Sequence, residues 1–178
     1  MDNKINNKNN KKNTGFTLVE TLVAISILLI SIVGPLTIAS NGLSSAGLVK
    51  EKIAAFYFAQ EGVELVRNQR DVNIINGSDW LNNLSTCFDT KGCLIDPRNI
   101  TPVITMCDVG GCEALKQNIV NELYGYESGV DWIASPFTRT IKISTINGQE
   151  IRLSVEMSWV RGGSVKNLTI DEHLFNWQ

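Results

Sequence analysis

Glu20 is the only ionisable residue between Lys12 and Lys50, and it lies inside the run FTLVETLVAISILLISIVGPLTIA from Phe16 to Ala39, 16 of whose 24 residues are apolar. A carboxylate in such a run costs about 2.5 to 3.5 kcal/mol at a bilayer centre and less near an interface. Its presence indicates either a functional partner or a side chain that snorkels to water. Immediately before the run stands Gly15-Phe16, a peptide bond with no side chain on its first residue to obstruct an approaching enzyme. Far downstream, Cys87 and Cys93 flank FDTKG, and Cys107 and Cys112 flank DVGG. Four thiols so arranged can form two disulfides, with three connectivities possible, or less naturally bind zinc, whose structural sites prefer cysteines two to four residues apart. The single His, His173, follows Asp171 and Glu172. That triplet suits a metal ligand set or a catalytic pair, but reads more plainly as one solvated strand.

These groups need elements to hold them. Residues 1–15 contain six Asn, four Lys and one Asp and almost no apolar surface, so they cannot fold alone. The following run, at about 1.5 Å per helical residue, spans roughly 36 Å, which covers a hydrocarbon core of about 30 Å. Lysines before the run keep residues 1–15 in the cytoplasm and send everything after about residue 40 across the membrane. An ordinary secretory signal has a shorter apolar stretch and a cleavage site on its far side. Here the conspicuous junction comes first, so the chain is expected to be a single-pass precursor.

Composition narrows the function. Sixteen Lys plus Arg against 18 Asp plus Glu give a formal charge of -2, with no clustered basic excess of the kind that grips phosphate backbones, so nucleic acid is an unlikely partner. One His excludes a His-rich metal site. The chain has no Gly-rich phosphate loop, nucleophile elbow or HExxH motif. No cofactor and no enzymatic activity are expected.

The run Gly15-Phe16-Thr17-Leu18-Val19-Glu20, followed by uninterrupted apolar sequence, resembles the type IV prepilin signature shared by pilins, minor pilins and pseudopilins of type II secretion. The resemblance implies cleavage by prepilin peptidase between Gly15 and Phe16, N-methylation of Phe16, and retention of the apolar helix. It also makes Glu20 the fifth residue of the mature chain, where family members carry an assembly glutamate. The wording VETLVAISIL is closer to minor pilins and pseudopilins than to major pilins, and AAFYFAQEGVELVRNQRD and HLFNWQ are also similar to pilin-like proteins. The partners implied are other pilin or pseudopilin subunits, the peptidase, an inner-membrane assembly platform, and lipid before assembly.

Beyond the run, Gly34-Pro35 predicts a kink or a melted turn, and Gly42, Ser44, Ser45 and Gly47 loosen the chain further. Helix then resumes to about Arg70, with Ile53, Phe56, Tyr57, Val63 and Val66 forming its apolar face. A helix from Phe16 to Arg70 would be about 80 Å long, so its second half must pack on something other than membrane. Alternation of Phe137, Ile141 and Ile143 with Thr138, Arg139, Thr140, Lys142 and Ser144 predicts a strand, and Asn147-Gly148 a hairpin turn. Ile151 to Trp159 alternates likewise, Arg161-Gly162-Gly163 makes a second turn, and Val165, Leu168 and Ile170 mark a third strand. The fold class is therefore α+β: a long N-terminal helix, membrane-spanning in its first half and amphipathic in its second, packed on an antiparallel meander in a type IV pilin-like arrangement.

The expected organisation is a leader at 1–15, a transmembrane and assembly helix at 16–52, and a head at 53–178. Within the head, 71–136 is the variable cysteine-bearing region and 137–178 the sheet. An extracytoplasmic head favours disulfides. The turns at Lys91-Gly92 and Gly110-Gly111 favour the local pairs Cys87 with Cys93 and Cys107 with Cys112, and Ala114–Tyr124 is expected to be a short helix. Asn76, Asn83, Asn99 and Asn167 begin glycosylation-type triplets that arise easily in an Asn-rich chain. The leading expectation is a pilus or pseudopilus subunit, processed and then polymerised through its helix. The competing one is a binding or sensing module, or an enzyme, anchored permanently outside the cytoplasmic membrane.

Overall fold

The computed structural model describes residues 15–96, 98 and 102–177; the leader expected at 1–15 therefore falls outside them except for Gly15, as does the triplet at Asn99. The chain divides into two units, Met1–Leu48 and Val49–Gln178. Helix α1, Leu18–Ile75, crosses that division.

In the first unit every described residue of α1 is exposed except Gly47, which is partly so. Its hydroxyls satisfy themselves on the helix: Thr21 Oγ1 donates to the Leu18 carbonyl, Ser26 Oγ to Leu22, Ser31 Oγ to Leu28 and Thr37 Oγ1 to Val33, all at 2.8 to 2.9 Å. A polar group bonded in this way can enter an apolar medium without losing a partner. The melted turn expected at Gly34-Pro35 is absent, and helix continues through Pro35 and the 42–47 stretch. Proline removes only one donor, and the helical bonds on either side of that gap suffice where no water competes.

In the second unit, α1 lies on an antiparallel sheet of seven strands. In chain order these are β1 Cys93–Asp96, β2 Val103–Met106, β3 Ala114–Asn118, β4 Tyr124–Gly125, β5 Trp132–Asn147, β6 Glu150–Arg161 and β7 Ser164–Phe175. Strands β5, β6 and β7 form the meander, with Ile141 opposite Val155 and Val155 opposite Ile170. The other edge of β5 is shared by β1, through Cys93 opposite Ile141, and by β3, through Asn118 opposite Trp132. Strands β2 and β4 lie outside these. Ile151, Leu153, Val155, Met157 and Trp159 all point into the core, the two-residue repeat of a strand with one buried face.

Further details differ from the sequence expectation, among them Arg139, expected on the outer face of its strand but buried. The helix face buried on the sheet is Ala55, Ala59, Gly62, Val63 and Val66, and not Ile53, Phe56 and Tyr57, which remain exposed. Small residues win because the helix sits very close to β6: a Cβ at Gly62 would stand 2.9 Å from Val155 Cγ1. The helix also runs on to Ile75, past Arg70, and Asn73 there donates to the carbonyls of Trp80 and Asn82. Finally, Ala114–Tyr124 is no helix. Its first half is β3, which buries Leu115 and pairs with β5, and the Asn118 side chain accepts from the Val120 and Asn121 amides to make the turn. Long-range pairing overrides helix propensity here.

The core also encloses charge. Arg139, 1% exposed, shares the inward phase of Phe137 and Ile141 on β5. Its guanidinium donates to Glu61 at 2.8 Å, the Phe58 carbonyl at 3.1 Å and the Ile95 carbonyl at 3.2 Å, locking α1 to both β5 and β1.

Candidate functional site

The chemistry-bearing N-terminal residues occupy the entry to α1. Gly15, Phe16 and Thr17 precede the helix, Phe16 is 80% exposed, and a Cβ at Gly15 would meet nothing within 4 Å. The Gly15-Phe16 peptide thus lies outside the helix, with both of its residues exposed. Thr17 caps the helix by accepting the Glu20 amide on Oγ1 at 3.2 Å, the first half of a capping box whose other half would be the Glu20 carboxylate. A carboxylate in this first turn is favoured by the partial positive charge of the helix N-terminus. No cation among the described residues forms an ion pair with it.

The four cysteines form two disulfides, Cys87–Cys93 and Cys107–Cys112, with Cα atoms 4.7 and 4.5 Å apart. The first ties the 3₁₀ turn Ser85–Phe88 to the start of β1 in the core. Gly92 is required beside it, since its φ is +79° and a Cβ there would lie 2.7 Å from Thr140 Cγ2. The second closes the Asp108–Gly111 turn after β2.

The Asp171-Glu172-His173 triplet does not converge. Alternation along β7 sends its members to different partners: Asp171 to Arg152, Glu172 to Arg67, and His173 Nδ1 to Glu150 at 2.7 Å. The hydrogen bond from Arg152 holds the Asp171 carboxyl below its ordinary range. Among the described residues no group of three or more His, Cys, Asp and Glu could hold a metal ion.

A charged network that the sequence reading missed surrounds Arg98. It binds Asp96 at 2.8 Å and Glu127 at 2.8 Å, and its guanidinium lies 4.3 Å from the centre of the Trp132 ring. Burial raises the Asp96 carboxyl, but the hydrogen bonds and charge of Arg98 outweigh it and hold the group below the usual carboxylate range. Burial pushes the Tyr126 phenol up. The short spacing of Asp96 and Arg98 was the available signal, but it reads equally well as a solvated loop.

Residues 10–34 match the family described as the prokaryotic N-terminal methylation motif, the type IV prepilin signature, and α1 is long and apolar enough to cross a membrane. The match supports the type IV pilin or pseudopilin class and fits a membrane-anchored precursor. No curated protein and no solved structure matches the chain.

Proposed function

We propose that this chain is a structural subunit of a type IV pilus or a related pseudopilus, made as a membrane-inserted precursor and polymerised through α1. The observation that carries this reading is the methylation-motif match over residues 10–34, which spans the open Gly15-Phe16 peptide and the exposed apolar helix behind it. Prepilin peptidase cleaves after Gly15, Phe16 is N-methylated, and the unit from Val49 onward is the extracytoplasmic head. Loss of four Lys and Asp2 with the leader takes the formal charge from -2 to -5. The chain is a substrate of enzymes and not itself one. The run VETLVAISIL supports a minor subunit.

Within the filament, the Glu20 carboxylate neutralises the Phe16 amine of a neighbour. Burying either charge alone is expensive, whereas pairing them offsets much of that cost and sets the axial stagger. The test is intact-mass and N-terminal peptide analysis of the chain expressed beside its own peptidase. A mature N-terminus at methylated Phe16 is expected, and a membrane-bound chain that keeps Met1 to Gly15 would falsify the reading.

A further inference from the structure

We propose that the valine-tipped loop closed by Cys107–Cys112 docks into the groove between α1 and β7 of a second copy of this chain. The proposal rests on the filament-subunit reading, which brings copies side by side. Val109 is 90% exposed at the tip of Asp108–Gly111. The loop holding it is rigid on three counts: the disulfide at its base, the Gly111 amide donating to the Asp108 carbonyl at 3.0 Å, and the Cys107 amide donating to the Gly92 carbonyl at 3.0 Å. A preorganised apolar knob binds without the ordering cost that a free loop would incur.

The receptor is a groove of about 390 Å³ lined by Val49, Lys52, Ile53, Phe56, Tyr57 and Leu168. The helix residues turned away from the core provide its apolar wall, and all four are exposed in the single chain. Charge matches on the two sides. Asp108 stands beside the knob and Lys52 lines the groove, and neither forms an ion pair among the described residues. Lys166 lies on the Leu168 face of β7 by the two-residue repeat and adds to the positive rim.

Knob and groove occupy opposite margins of one sheet, beyond β2 and along β7. A contact between two different patches of identical chains is heterologous, and repeating it without closure generates a helical array. Such a contact lets this subunit form runs within a filament, even one built mostly of other pilins.

The experiment places the photo-crosslinker p-benzoylphenylalanine at Val109 of the full-length chain, made with its native assembly proteins, and maps the adducts after irradiation of cells. The expected adduct joins position 109 to a peptide of a second copy containing Lys52–Tyr57 or Lys166–Ile170. Lys52→Asp should reduce that adduct roughly two- to fivefold, the range set by one exposed ion pair, and Lys52→Asp with Asp108→Lys should restore it. Adducts only to lipid, to a different protein or to other surfaces, or no adduct between copies, overturn the proposal. Filaments that contain the chain but lack the adduct sink the contact and leave the subunit reading intact. The adduct in membranes, without the chain in sheared filaments, does the reverse.

Discussion

One helix meets two different fates in this molecule. Before Leu48, α1 exposes Leu22, Ile25, Leu28, Leu29, Ile32 and Leu36; after Val49 it buries Ala55, Ala59, Val63 and Val66. The more hydrophobic half is the one left exposed among the described residues. In the head, burial follows from fit: the small side chains and Gly62 let the helix approach β6, and Arg139 bolts the joint by three hydrogen bonds. In the first unit, self-bonded hydroxyls and an uninterrupted run suit a helix whose solvent is lipid or other helices. Large exposed apolar surface is a liability in water and an asset in those surroundings. The two halves should therefore respond to different perturbations.

The largest separation should come from Glu20→Gln. In the proposed filament, leaving the neighbour's amine uncompensated should lower recovery in sheared filaments by on the order of tenfold or more, with the second unit still folded and both disulfides formed. Equal recovery of variant and wild type would make Glu20 a tolerated carboxylate and erase the functional contrast between the halves.

Arg139→Ala tests the other half. It leaves the Phe58 and Ile95 carbonyls without their donor and opens a cavity in the core, so chemical denaturation of the detergent-solubilised chain should show a loss of about 2 to 5 kcal/mol. Membrane insertion should not change. A loss within experimental error of zero would mean that the joint is held by the apolar contacts alone.

A matched pair of glycines sharpens the comparison on one helix. Gly62→Ala pushes a methyl into Val155 and should cost about 1 to 3 kcal/mol, whereas Gly42→Ala meets nothing within 4 Å and should be neutral or stabilising by up to about 1 kcal/mol. Circular dichroism melts of both variants in the same detergent decide it, and equal effects would remove the distinction between the packed and unpacked halves.

The smallest effect is acid sensitivity confined to the head. Asp96 is held below its ordinary value of 3.8, so its contribution is fully present above that value and is lost as pH falls through the lower, folded one. Head stability followed from about pH 6 to about pH 3 should decline at the acid end, and Asp96→Asn should flatten part of that decline. An identical acid limb in the variant would transfer the effect to other carboxylates.

What could be read without coordinates was local. The apolar run, the Gly15-Phe16 junction and the lone Glu20 declare themselves because hydrophobicity, a missing side chain and an isolated charge are properties of single residues in a row. The β5–β6 and β6–β7 hairpins were also legible, since strand alternation and the turn residues at Asn147-Gly148 and Gly162-Gly163 act over a few positions. The inward phase of Arg139 was present in the same alternation, yet charge made it read as an outer residue.

The sequence by itself determined a chain with one apolar helix too long for a membrane and a one-face-buried meander to receive its remainder. Tertiary structure alone decided which face of the helix meets the sheet, that Ala114–Asn118 pairs as a strand with β5, and that Arg139 reaches Glu61 across 78 positions. Periodicity names the faces an element has, but the choice among them depends on distances of closest approach. Those exist only once β6 stands against Gly62 and leaves Ile53, Phe56 and Tyr57 facing outward.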